Sequence, residues 1–270
     1  MKIEGRNAVR EALRSGIKVE RASMLQGIRP GGGITEIQDY LAAQGVKVQY
    51  VQRQELDKKS EHGAHQGIII WTAPFEYTSL NALIKQAAPA PAPAPSLIVV
   101  LDHITDPGNL GAIARSAEVI GATGLIVAKD RAAAITPAAH KAAAGAFAYL
   151  PVTQVTNIAR ALEELQKAGF WVAGASEHAQ QEVWGSSPKA DSGEAGKTGK
   201  ASKASKASAS PLAGNIALVM GAEGSGLSRL VRERCDFLVK LPQQGKVQSL
   251  NVAQAATVLM YEWLRQNQDR

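Results

Sequence analysis

Glu223 stands among three glycines, Gly221, Gly224 and Gly226, in the stretch "ALVMGAEGSGLSRL" that follows an apolar run. A phosphate-binding loop works by aiming backbone N–H groups and a helix N-terminus at negative charge. A carboxylate in the middle of the loop repels that charge. The stretch also lacks the Lys-Ser/Thr ending of a P-loop and the G-x-G-x-x-G order of a dinucleotide site. Its chemistry points instead to a neutral or cationic ligand, or to a hydroxyl that must be polarised. Two more polar turns carry functional groups: "DHITDPGNLGAIARSAE" (102–118) holds Asn109 and Arg115, and "LPQQGKVQSLNVAQAA" (241–256) holds Ser249 and Asn251. Each has a plain reading when taken singly. Asn109 can cap the helix that follows the tight Asp106-Pro107-Gly108 turn, Arg115 can be a surface cation, and Ser249 or Asn251 can cap the last helix.

The elements that must position these turns are legible as short apolar runs of the fully buried kind, at 97–102, 124–128, 170–175, 215–221 and 237–242. Helical spacing lies between them. Leu110, Ile113, Ala117 and Ile120 share one face, with Arg115 off it, and Ile158, Leu162 and Leu165 share another, with Asn157 and Gly169 as caps. A last helix runs from about Val252 to Gln266. Strands alternating with helices predict an α/β unit whose mostly parallel sheet has helices on both faces. Ligands on such sheets gather beyond the carboxyl ends of the strands, where the three polar turns fall.

The 270 residues are 45% hydrophobic and 20% charged, the balance of an ordinary globular chain. The beginning, "MKIEGRNAVREAL", has no apolar signal core, no run is long enough to span a membrane, and a single cysteine, Cys235, suits a reducing compartment, so a cytoplasmic location is expected. Cys235 reads as a small buried apolar residue rather than a nucleophile. Trp71, Trp171 and Trp263 read as core, and Trp184 as an anchor. The net charge of +6 is weak evidence for a nucleic-acid partner, because five lysines crowd into 186–211, a Ser/Ala/Gly-rich insertion expected to be disordered. The alternating "AAPAPAPAP" (87–95) reads as an extended spacer. The organisation expected is therefore a small α/β unit over 1–75, a linker over 76–95, and a larger unit over 96–270 that contains the insertion. In the first unit Arg6, Arg10, Arg14 and Lys18 form a basic stripe if helical, while Val9 and Leu13 can face a core. His62 and His65 have no partner for a metal site.

Together the three turns resemble motifs 1, 2 and 3 of the SpoU, or TrmH-type, RNA 2′-O-ribose methyltransferases, in order and over about 155 residues. "EGRNAVREAL" and "HQGI" are similar to the ribosomal-protein-like RNA-binding domain of one branch, which includes bacterial enzymes that methylate a guanosine ribose in 23S rRNA. Gly108 replaces a bulkier residue common in motif 1, and the Lys-rich insertion is unusual. The resemblance implies a SPOUT-type catalytic domain with a deep trefoil knot, S-adenosylmethionine as cofactor, ribosomal RNA as partner and a homodimer with sites completed near its interface. It implies catalytic roles for Asn109, Arg115, Glu223, Ser249 and Asn251, cofactor contacts at Gly221, Leu241 and Leu250, and RNA contacts from Arg6, Arg10, Arg14 and His65.

The cofactor so implied carries a cationic sulfonium and no phosphate, which suits a glycine loop with an acid in it. A ribose 2′-OH is a poor nucleophile that must be positioned and relieved of its proton. Arg115, with a pKa above about 12, is poorly matched as a base, so binding the adjacent phosphate is an equally physical role. Glu223 can be the base or an orienting acceptor. Transfer RNA as substrate, and a non-catalytic RNA-binding or ribosome-assembly factor, are the competing readings; a nucleoside triphosphatase is disfavoured by the missing P-loop lysine.

Overall fold

A computed structural model describes residues 1–14, 16–31, 33–61, 63–87, 94–184, 211–246 and 249–268. His62 and nearly all of the 186–211 insertion lie outside the described residues.

The polar ends of the site are held by a seven-stranded, wholly parallel sheet. Its strands are β5 (Leu97–Asp102), β6 (Gly124–Ala128), β7 (Val152–Val155), β8 (Trp171–Ala175), β9 (Gln181–Glu182), β10 (Ile216–Gly221) and β11 (Phe237–Lys240), in the order β7-β6-β5-β10-β8-β11-β9. The chain runs outward from β5 to β7, crosses to lay down β8, and only later fills the gap between β5 and β8 with β10. Alternate residues face opposite layers, so a strand covered on both sides must be apolar throughout. Leu97, Val99 and Leu101 enter one core with Leu218 and Met220, while Ile98 and Val100 enter the other with Ala217 and Val219.

The first core is closed by α5 (Pro107–Val119), α6 (Pro137–Ala143) and α9 (Val252–Asn267). The second is closed by α4 (Leu80–Ala87), α7 (Ile158–Lys167) and α8 (Arg229–Arg234). Helices α5 and α6 touch where Gly111 meets the Ala139 carbonyl; a Cβ at Gly111 would sit 2.3 Å from that oxygen. The expected caps hold on α7: Asn157 accepts from the Arg160 N–H at 3.0 Å, and Gly169 follows the helix at φ +89°.

The N-terminal unit is α/β, as expected. Strands β1 (Lys2–Glu4), β2 (Val19–Leu25), β3 (Val48–Val51) and β4 (Ile68–Thr72) pair in the order β1-β4-β2-β3. Helices α1 (Arg6–Arg14) and α2 (Ile34–Ala43) bury Val9, Leu13, Ile37 and Leu41 against one face, and α3 (Arg53–Lys59) buries Leu56 on the other. Because α1 ends at Arg14, Lys18 is not part of its stripe.

The linker expected over 76–95 holds helix α4, whose Leu83 and Ala87 are fully buried in the second core. Its end is tied to the start of β5: Ser96 Oγ donates to the Ala87 carbonyl at 2.7 Å. The Ala-Pro run thus begins and ends at one place instead of holding two units apart. Its residues 88–93 lie outside the described residues. Contact between the units is aromatic as well as helical: Phe75 meets His140 and Phe147 edge-on, with ring centroids 6.3 and 5.8 Å apart. Of the tryptophans expected in the core, Trp263 is buried, while Trp71 and Trp171 are half-buried.

Candidate active site

The carboxyl ends of β5 and β10 lie side by side, with Asp102 paired in register to Gly221. Beyond β10 the chain folds back in a tight hairpin in which Ala222 and Gly226 exchange backbone hydrogen bonds of 3.1 and 2.9 Å. Glu223 is exposed in this turn. Gly224 and Gly226 adopt φ of +78° and +65°, which favours glycine at both positions. Gly221 answers to a different need. A Cβ there would lie 2.3 Å from the Gly226 carbonyl carbon and 2.4 Å from the Leu227 nitrogen, so the hairpin closes only over a hydrogen.

The α5 N-terminus corrects one expectation. Asp106, not Asn109, is the cap: its Oδ1 accepts from the Asn109 N–H at 2.7 Å, with Pro107 in the first turn. The Asn109 side chain is thereby released for the site. Its Nδ2 donates to Glu223 Oε1 at 2.9 Å. Asn251 completes a triangle, with Nδ2 donating to Asn109 Oδ1 and to Glu223 Oε1, each at 3.0 Å. Asn251 is also the α9 cap, because its Oδ1 accepts from the Ala253 and Gln254 N–H groups at 2.9 and 3.4 Å. The plain and functional readings of Asn251 are both true. Glu223 Oε2 has no partner among the described residues, so one carboxylate oxygen stays available as an acceptor beside two fixed amides.

The other expected residues make no hydrogen bond to this triangle among the described residues. Arg115 is exposed on α5, without a side-chain hydrogen bond or ion pair among the described residues, and is not drawn into the triangle. Ser249 is exposed beside Asn251, Leu250 is 47% exposed, and Leu241 is half-buried against the first core. A carboxylate set on a glycine hairpin beside two amides suits a neutral or cationic ligand and is unsuited to a phosphate. Cys235 is no nucleophile: burial pushes its thiol pKa up to about 12.

Sequence reasoning missed the residue that ties two of the turns together. Asp102 is 1% exposed, and its Oδ2 accepts from the Ser228 N–H at 2.6 Å, fixing the far end of the glycine loop to the end of β5. Its Oδ1 lies 2.6 Å from Nδ1 of His103, which adopts φ +60°. An acid ending the apolar run "LIVVLD" was the available signal, since a buried carboxylate needs donors.

In the N-terminal unit the basic residues are individually engaged. Arg14 forms an ion pair with Glu36 at 2.6 Å, and Arg10 reaches Asn7 Oδ1 at 3.3 Å and lies over Gly33. Arg6 Nε donates to the Gln66 carbonyl at 3.1 Å. His65 is buried, with both ring nitrogens bonded inside the protein. Among the described residues no group of acids, histidines and cysteines could hold a metal, and no helix is long and apolar enough to cross a membrane.

Comparison with known proteins accords with this arrangement. Residues 96–261 match the SpoU rRNA Methylase family, and residues 2–78 match the family described as RNA 2′-O ribose methyltransferase substrate binding. A Bacillus subtilis protein assigned to the TrmH family of tRNA/rRNA methyltransferases is 38% identical over 97% of this chain and 94% of its own length. A 23S rRNA (guanosine-2′-O-)-methyltransferase of Pseudomonas putida is 40% identical over 84% of this chain and 82% of its own. Among solved structures, an RNA 2′-O ribose methyltransferase superposes with a TM-score of 0.61 at 26% identity, covering 98% of this chain and 88% of that one. The AdoMet complex of the SpoU methyltransferase AviRb from Streptomyces viridochromogenes shares the fold, with a TM-score of 0.63 at 24% identity over 98% and 89% of the two chains.

Proposed function

The chain belongs to the SpoU rRNA Methylase family, and from that premise we propose that it transfers a methyl group from S-adenosylmethionine to the ribose 2′-OH of a guanosine in 23S rRNA. The observation that carries this reading is the Asn109–Glu223–Asn251 triangle, in which three turns far apart in sequence meet at the carboxyl edge of one parallel sheet. The choice of rRNA and of guanosine is supported by the relative from Pseudomonas putida and by the N-terminal substrate-binding domain.

Bound S-adenosylmethionine supplies an electrophilic methyl carbon on a cationic sulfur. Gly221, Leu241 and Leu250 are the residues proposed to hold it, the two leucines against its apolar parts and Gly221 by permitting close approach of backbone. Asn109 and Asn251 fix Glu223 Oε1 and leave Oε2 to accept from the 2′-OH, so the hydroxyl is oriented without a search over rotamers. Ser249 adds a hydroxyl next to Asn251. Arg115 is assigned to the phosphate beside the target ribose, a role that suits a guanidinium that stays charged.

A homodimer, proposed here as the working cytoplasmic form, would bring that arginine to a neighbouring triangle. Helices α5 and α9 lie side by side, joined by Ser116 and Thr257 at 2.8 Å, and leave Val119 on α5 and Val258 and Tyr261 on α9 exposed. The trefoil knot expected of the family belongs to the same proposal, in the chain that follows β10.

The test is incubation with methyl-labelled S-adenosylmethionine and protein-free 23S rRNA, beside bulk transfer RNA, followed by alkaline hydrolysis. Label in an alkali-resistant guanosine dinucleotide from rRNA, lost in Arg115→Ala, supports the reading. Label in transfer RNA alone overturns the substrate. An absence of transfer together with an absence of cofactor binding by calorimetry overturns the enzyme.

A further inference from the structure

The two N-terminal sequence motifs, "EGRNAVREAL" (4–13) and "HQGI" (65–68), the second within the 63–67 turn and the start of β4, meet at a cavity that the catalytic turns do not use. The β1–α1 turn is pressed against the 63–67 turn: a Cβ at Gly5 would lie 3.1 Å from the Ala64 carbonyl oxygen, and the Arg6 N–H donates to Gln66 Oε1 at 3.1 Å. The cavity measures about 550 Å³ and is walled by Leu25, Arg6, Arg53 and the 63–67 turn, with no acidic residue among the described residues of its lining. Arg6 spends Nε on the Gln66 carbonyl and reaches the Gly31 carbonyl with Nη1 at 3.4 Å, leaving Nη2 without a partner among the described residues. Arg53, the first residue of α3, makes no side-chain hydrogen bond or ion pair among them.

The turn itself is built to hold its shape. His65 Nδ1 accepts from the Gly67 N–H at 2.9 Å, so the ring proton sits on Nε2 and is donated to Asp57 Oδ1 at 2.7 Å. The ring, bonded at both nitrogens inside the protein, is therefore a buttress of the turn rather than a phosphate ligand. Gln66 adopts φ +48° and Gly67 φ +89°, and a Cβ at Gly67 would strike Ile28 Cδ1 at 2.6 Å.

We propose that this bowl holds one unpaired nucleotide of the substrate RNA, its phosphate between Arg6 and Arg53 and its base against Leu25 and the 63–67 turn. The proposal rests on the reading of the chain as an RNA methyltransferase. Two guanidinium groups with no acid between them select a phosphate, which they grip by paired N–H donors. The space and the apolar wall exceed what an anion alone needs and lie within the ordinary size of a small-ligand site. Unpaired bases, unlike those in an A-form duplex, can enter such a bowl and stack on a guanidinium plane. A turn already held in place lowers the ordering cost of binding.

The experiment measures fluorescence anisotropy of a short labelled, unstructured RNA strand, and of the same strand annealed to its complement, with the full chain across a salt series. Arg53→Ala is expected to bind the single strand about ten-fold more weakly, with a salt slope smaller by about one. Arg53→Lys should keep the slope and recover only part of the affinity. Lys47→Ala, at the opposite end of β3, should bind as the parent does. In methyl transfer to 23S rRNA, Arg53→Ala should raise KM and leave kcat unchanged. Equal affinity of parent and Arg53→Ala overturns the site, as does an equal loss in Lys47→Ala, which marks diffuse charge, or tighter binding of the duplex. Thermal unfolding of each variant separates misfolding from lost contact, and Arg53→Lys remains informative if the alanine variant does not fold. The binding measurement needs no cofactor, so it still reads the bowl if the chain transfers no methyl group.

Discussion

Asn251 Nδ2 reaches Asn109 Oδ1 at 3.0 Å across 142 residues of chain, while Oδ1 of the same Asn251 caps helix α9. One amide therefore does two separable jobs, and substitutions can divide them. A serine at 251 retains a capping oxygen but has no N–H pair for Asn109 and Glu223. Asn251→Ser is expected to unfold within a few tenths of a kcal/mol of the parent and to lose methyl transfer by a hundred-fold or so, whereas Asn251→Ala should also lose about 1 kcal/mol of stability. Chemical denaturation and initial rates, run on both variants, check the division. Equal rates in Asn251→Ser and the parent would remove the triangle from the chemistry.

Gly221 is required by the hairpin's closure rather than by its own φ. A methyl group 2.3 Å from the Gly226 carbonyl carbon must push the loop open, so Gly221→Ala is expected to cost roughly 1–3 kcal/mol and to weaken S-adenosylmethionine in a calorimetric titration. Gly245→Ala, with nothing within 4 Å of its Cβ, is the neutral comparison.

Two groups with shifted pKa values act on stability over different ranges of pH. Hydrogen bonds from Arg265 foremost hold the Glu262 carboxyl below its ordinary value, against the opposing effect of burial. Stability from this group is complete above the unfolded pKa of about 4.3 and is lost as the pH falls through the lower folded value. Burial among Phe75 and Phe147 lowers the pKa of His140. The unfolded chain then takes up that proton first, and stability declines as the pH falls below about 6.5 towards the folded value. Melting temperatures followed from pH 7 down to pH 3 should show His140→Phe flatter in the upper part of the range and Glu262→Gln flatter in the lower. An unchanged profile in either variant would count against its group.

The parallel sheet was legible because strands such as Leu97–Asp102 and Gly124–Ala128 are apolar on both faces, as a strand covered by helices on both sides must be. Asn109, Glu223 and Asn251 were legible as motif members, and the structure brings them together. Strand β7 was not, because the half-polar "VTQV" at the sheet edge lacks that continuous signal, and β9 has only two residues. Helix α6, "PAAHKAA", has no large aliphatic face, since its packing depends on closeness to Gly111 rather than on bulk. The capping role of Asp106 was hidden by Asn109, an equally good capping residue three positions on. The position of Arg115 relative to the triangle is set by how helices meet, which local pattern does not encode.

The chain's two compositionally simple stretches share a property that follows from where their ends lie. Ala87 and Ser96 are bonded directly. Trp184 bonds to Glu262 on α9, and after the second stretch Leu212 and Gly214 bond to Gln266 and Asn267 on the same helix at 2.8 and 2.7 Å. Each departure point is thus stitched shut by side chains of the folded body. Closing a longer excursion between fixed ends adds only about 0.6 kcal/mol per doubling of its length. The sequence at these two places is free to lengthen, shorten or change composition over generations while the sheet stays as it is. For the experimenter they are natural sockets, where a tag or a fluorescent domain can be installed with both of its ends already brought together.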